Sequence, residues 1–148
     1  MKIAHIGNTA GIGSILAEEQ QRLGFDSTVF VFDNMTQQMF GGVKINYTSI
    51  IEKVFFFARL KFYDVWHYHY PYGSLNSFLQ KIYSNRVFLK HYHGDYLRLS
   101  GNFDLDFCLV FTHDLLKYTP NGNWLPNPIH LSQINRAAVF KNDFENHI

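Results

Sequence analysis

Histidine is the residue type in this chain whose placement most invites chemistry. His67 and His69 stand two apart in Tyr63-Asp64-Val65-Trp66-His67-Tyr68-His69, and His91 and His93 repeat the spacing in His91-Tyr92-His93-Gly94-Asp95. On an extended strand such pairs point to one face, about 7 Å apart along it. If the two strands are neighbours, four imidazoles gather at one corner of a sheet. Imidazole suits zinc, copper or nickel, but this spacing matches no standard zinc motif and brings no carboxylate ligand. The expectation is therefore hydrogen bonding to backbone or ligand, with no metal. His69 and His93 lie nearest the loops and are the functional candidates, whereas His67 and His91 sit deeper and read as structural residues with their hydrogen bonds satisfied. Asp95 follows a glycine turn, where it either accepts hydrogen bonds from hydroxyls or simply caps the turn.

A second candidate is the loop Gly7-Asn8-Thr9-Ala10-Gly11-Ile12-Gly13. Glycines between a strand and a helix let backbone approach a phosphate at the helix amino end. The dinucleotide fingerprint needs glycines where Thr9 and Ile12 stand, so a nicotinamide or flavin site is disfavoured. No Gly-Lys-Ser/Thr run is present, which excludes a P-loop. A tight turn with close helix packing is the bland alternative. No Ser-His-Asp order, nucleophile elbow or cysteine pair supports side-chain nucleophilic catalysis.

The elements that position these groups alternate. Ile3 to Ile6 reads as a buried strand ending at Gly7, and Ile12, Ile15, Leu16 and Leu23 recur at helical spacing before Gly24 stops the helix. Thr28 to Phe32 is a second strand, Met35 to Gly42 a loop, and Val43 to Tyr47 a short third strand. Ser49 and Glu52 form a capping box opening a helix whose buried face is expected to be Ile51, Val54, Phe55, Ala58 and Phe62. Asp64 to Tyr70 is the next strand. Ser74 then caps a helix with Leu75, Phe78, Leu79, Ile82 and Tyr83 on one stripe. Strands follow at Val87–Tyr92 and Phe107–Phe111, then a short helix from Thr112 to Tyr118, and Asn123-Trp124-Leu125 runs into the stiff Pro126-Asn127-Pro128 break. Strands apolar on both faces, alternating with helices, predict an α/β fold: a doubly wound, Rossmann-like parallel sheet with helices on both faces. Ligands bind such sheets at the carboxyl ends of the strands, where strand order reverses.

Composition bounds the function. The 148 residues suit one domain, 47% are hydrophobic and 17% charged, and net charge is +1, so the chain is globular and no bulk charge argues for nucleic acid. Aromatics reach 18%, an excess that serves a bulky core or a surface facing sugar, lipid or a partner. The lone Cys108 lies in an apolar run and reads as a buried, inert thiol. The amino terminus carries no secretory pattern and no apolar run reaches membrane-spanning length, so a cytoplasmic protein is the default expectation. Phe55-Phe56-Phe57, flanked by Lys53, Arg59 and Lys61, admits peripheral membrane contact through Phe56 and Leu60. A helix buried on more than one face is the favoured alternative.

In order along the chain, Lys2-Ile3-Ala4-His5-Ile6-Gly7 with its glycine loop, the Asp64-to-His69 strand, His91-Tyr92-His93-Gly94, Phe107 to Leu116, and Trp124-Leu125-Pro126-Asn127-Pro128-Ile129 together resemble the amino-terminal domain of family-four, GT-B glycosyltransferases. The resemblance implies a single GT-B-type domain over residues 1–130 and a tail or linker, 131–148, toward a donor-binding domain that the matched motifs do not include. It implies retaining transfer from a nucleotide-diphosphate sugar to a glycan or lipid-linked acceptor, with no metal or other cofactor. Carried over by motif, Gly11, Ile12 and Gly13 form the donor-phosphate loop and His93 is a catalytic candidate, with Asp95 beside it as the second. His69, from its place at the strand end, is the candidate for acceptor or donor contact. A partner supplying the donor half, as a domain or a subunit, is implied, and little activity is expected without it. The alternatives are a non-catalytic ligand- or protein-binding module on the same fold, and a histidine-rich metal protein.

Overall fold

The computed structural model describes residues 1–33, 41–46, 48–69, 81–92, 98, 107–119, 121–126 and 128. They form one seven-stranded sheet, β1 (Lys2–Ile6), β2 (Asp26–Phe32), β3 (Val43–Ile45), β4 (Val65–Tyr68), β5 (Val87–Tyr92), β6 (Cys108–Val110) and β7 (Gly122–Trp124). The spatial order is β3-β2-β1-β4-β5-β6-β7 and every described pairing is parallel. This is the α/β, Rossmann-like arrangement the alternation predicts. The chain builds outward from β1 to β3, then returns to the other side of β1 with β4, so order reverses between β1 and β4.

The two faces of β1 and β2 bury different sets, as period-two alternation requires. Ala4, Ile6, Phe30 and Phe32 pack with Trp66 and Tyr68 beneath helix α2 (Ile50–Leu60), which contributes Phe56 and Leu60. Val29 and Val31 of the opposite face meet Ala17 of helix α1 (Ile12–Arg22). Helices therefore cover both faces. Trp66 seals the α2 side: its indole N–H donates to the carbonyl oxygens of Leu60 and Tyr63 at 3.0 and 3.3 Å, satisfying a buried donor.

The structure corrects the reading of α2. Phe56 and Leu60 are its buried residues, while Ile51, Val54, Phe55 and Phe62 are 60–70% exposed and Ala58 is exposed. Both sets recur at helical spacing, so periodicity alone offers two faces, and tertiary contact with Phe30 and Phe32 selects the one carrying Phe56. The cap forms, with the Glu52 amide donating to Ser49 Oγ at 3.3 Å. The Glu52 carboxylate, however, accepts from the Asn46 amide at 2.7 Å, pinning the loop from β3 to the helix start. Leu23, read at helical spacing with Ile12, Ile15 and Leu16, is the helix C-cap and 75% exposed, and Gly24 stops the helix at φ 85°. β7 is a strand where only a run into a break was expected. Thr112 N-caps a 3-10 helix (His113–Tyr118), and Cys108 is 1% exposed. Most of the helix read after Ser74, the loop from Met35, Tyr70, and the tail from 131 lie outside the described residues.

Candidate functional site

The α1-covered face holds, at the switch point, a row of histidines in place of aliphatic side chains. His5 on β1 lies directly opposite His67 on β4. His69 follows the end of β4, its backbone N–H donating a hydrogen bond to the Ile6 carbonyl at 3.0 Å, and His91 comes from the neighbouring β5. His5, His67, His69 and His91 are 0, 2, 0 and 1% exposed. Ring centroids stand 5.0 Å apart for His5–His67, 5.1 Å for His5–His69 and 4.2 Å for His67–His69. His91 lies 5.6 Å from His67 and 5.8 Å from His69, with Phe111 closing its far side at 4.0 Å.

Hydrogen bonding orders one end of this row. Gln20 of α1 accepts at Oε1 from Ser27 Oγ, 2.8 Å, and from His5 Nε2, 2.8 Å. His5 therefore carries its proton on Nε2, which leaves the Nδ1 lone pair facing His69 Nε2 at 2.8 Å. Burial pushes the pKa of His5 down to about 4, against the raising effect of the Gln20 bond. His67 is held well below the ordinary imidazole range by burial first, then by His5 and His91. Both are neutral at pH 7, with a lone pair available. Neither ring nitrogen of His67 has a hydrogen-bond partner among the described residues. Buried polar groups of this kind normally do have one.

The glycine loop closes over the same corner. Gly7 (φ 82°) ends β1, and Gly11 (φ 76°) starts α1 from the left-handed region, a conformation that carries no Cβ penalty for glycine. Gly13 lets α1 press down onto the cluster. A Cβ there would stand 3.1 Å from Asn8 Oδ1, 3.2 Å from the Gly7 carbonyl oxygen and 3.3 Å from His69 Cδ2. Asn8, fully buried, accepts the Ser14 amide at 3.1 Å and donates to Ser14 Oγ at 2.7 Å, so a side chain takes one of the free helix-start donors. Thr9 Oγ1 donates to the His69 carbonyl at 3.1 Å.

Of the residues singled out from sequence, Gly11, Ile12, Gly13 and His69 are thus brought together, all buried. His93, Gly94 and Asp95 lie outside the described residues. His67, expected to be satisfied, carries the orphaned nitrogens. His5 was missed. Its signal was phase: His5 stands two before Gly7 as His67 stands two before His69, which matters only once β1 and β4 are known to be neighbours. The nitrogens of His5, His67 and His69 all lie within 4.8 Å of one another. No family model, curated protein or solved structure matches the chain.

Proposed function

We propose that this chain is the acceptor-side half of a retaining glycosyltransferase that uses a nucleotide-diphosphate sugar and works with a separate donor-binding domain or subunit. The observation carrying the reading is the glycine loop, Gly11 to Gly13, packed against His69 at the switch point between β1 and β4. Ligands of such sheets bind at that crevice. The motif resemblance adds His93 and Asp95, which follow β5 in sequence and lie outside the described residues. Saturation-transfer NMR against UDP-glucose, GDP-mannose and a panel of oligosaccharides tests it. Saturation of sugar protons, lost in His69→Ala when circular dichroism confirms that variant folds, is expected. No saturation of any sugar or nucleotide overturns the reading. Glycan binding without turnover, even with a donor half supplied, assigns the chain to the non-catalytic binding modules.

We infer a second property from α2. Ile51, Val54, Phe55, Ala58 and Phe62 form an exposed apolar stripe, and at 100° per residue Arg59 and Lys61 fall on its two sides. An apolar strip with basic flanks suits the surface of an anionic bilayer, where a lipid-linked acceptor would reside. Among the described residues no helix is long and apolar enough to cross a membrane. Pelleting with anionic but not neutral vesicles, reduced in Phe55→Ser, is the expected result. Failure to pellet, with self-association in sedimentation velocity, assigns the stripe to protein contact instead.

A further inference from the structure

We propose that His5, His67 and His69 form a binding site for one divalent late first-row metal ion, with zinc the leading candidate. The inference stands apart from the glycosyltransferase reading and rests on three features of the cluster. The first is proximity: all three ligand nitrogens lie within 4.8 Å. Two imidazole nitrogens on a tetrahedral zinc at about 2.0–2.1 Å stand about 3.3–3.4 Å apart. The His5–His69 pair, at 2.8 Å, has only to open slightly, and small ring rotations close the remaining difference.

The second is the orphaned ring of His67, 2% exposed with neither nitrogen hydrogen-bonded among the described residues. Coordination supplies what the protein does not. The third is the outer shell. A ligating histidine nearly always donates its other N–H to a carbonyl or carboxylate oxygen, which sets tautomer and ring angle. His5 has this arrangement: Nε2–H donates to Gln20 Oε1, itself fixed by Ser27 Oγ, and Nδ1 points into the cluster.

Coordination replaces the hydrogen bond between His5 and His69, so His69 ligates through Nε2 with its proton on Nδ1. Three neutral imidazoles leave the dication's charge uncompensated. A three-histidine set of this kind keeps a fourth position for water or an anion, and borderline divalent ions with imidazole preference, such as zinc, copper or nickel, are the class that fits. Leu89, opposite His67 in the sheet register, and Phe111 beside His91 supply apolar surroundings.

The test uses the full chain stripped with EDTA. Cobalt(II), added as a spectroscopic stand-in, is expected to give the intense visible bands of a four-coordinate ion. Only the faint six-coordinate spectrum, in a chain that circular dichroism shows folded, overturns the proposal without any variant. Calorimetry with zinc chloride is expected to give one ion per chain. His67→Leu is expected to weaken binding by more than about 100-fold, and Gln20→Leu, which removes only the outer-shell acceptor, by about 10- to 100-fold. His113→Ala, at an exposed histidine, is expected to bind as the parent does. Equal zinc affinity in the parent and a folded His67→Leu chain overturns the assignment.

Discussion

Replacing His67 by leucine is expected to stabilise the metal-free chain and to lose that advantage once metal binds the parent. In the metal-free chain a neutral imidazole is held 2% exposed with both nitrogens unpaired among the described residues. An unsatisfied buried polar group costs about 1–3 kcal/mol, whereas an apolar group of similar shape in its place is neutral or stabilising. Two such atoms, offset by imperfect repacking against His5, His69 and His91, give a net gain of about 1–3 kcal/mol for His67→Leu in EDTA. With zinc at 100 times its dissociation constant the parent gains about 2.7 kcal/mol by mass action, a gain the variant forfeits, so the ranking closes or inverts. Urea unfolding in EDTA and then in saturating zinc measures both quantities, and an unchanged m-value certifies that only stability moved. A leucine variant less stable than the parent by more than about 1 kcal/mol in EDTA would refute the reasoning, because it means the ring nitrogens are satisfied in the metal-free fold.

Three further outcomes follow from the packing. Phe56→Ala should destabilise by about 3–5 kcal/mol, since its ring packs edge-on to Phe30 and Phe32. Phe55→Ala, at a 70% exposed site, should stay within about 0.5 kcal/mol, and thermal melts with the reverse ranking would restore the other face of α2. Gly13→Ala forces three tight contacts around Asn8, Gly7 and His69. Overpacking of about 1–3 kcal/mol exceeds the helix-propensity gain of about 1 kcal/mol, so a raised urea midpoint would contradict that close approach. Burial pushes the Cys108 thiol up to about 11 from 9.0. The folded chain therefore keeps its thiol protonated where the unfolded chain ionises, and this contribution to stability is lost as pH rises from 9 toward 11. A disulfide reagent at pH 8 should label Cys108 only upon unfolding, and rapid labelling of the native chain would count against its burial.

Much of the fold was legible because β1, β2, β4 and β5 are apolar runs bounded by turn residues, and such runs alternating with helices have few packing solutions. β7 was not legible: three residues, Gly122 to Trp124, carry too little pattern beside a proline break. The buried side of α2 was not legible either, since two apolar stripes satisfy the same period and only the aromatic face of β2 distinguishes them. At the site, the strand pairing of His67 with His69 could be read locally. The partner that completes the cluster sits on β1, far away in sequence, and a single histidine in a strand has no meaning until its neighbour across the sheet is known. The glycine loop was legible as a turn, but its pressure on His69 is a tertiary fact.

The position of β1 in the sheet also orders events in time. Its pairing with β2 needs only the closure of α1, a short local crossover, while its pairing with β4 joins Ile3 to Val65. Contacts between distant segments carry the larger loop-closure cost and form late. As the chain emerges, β1, α1 and β2 can assemble first and leave His5 on an open strand edge, already bonded to Gln20. That edge closes when β4 arrives, and the same event delivers His67 and His69. The histidine cluster is thus a record of the longest-range strand pairing: a chain in which it has formed has already joined the two halves of its sheet.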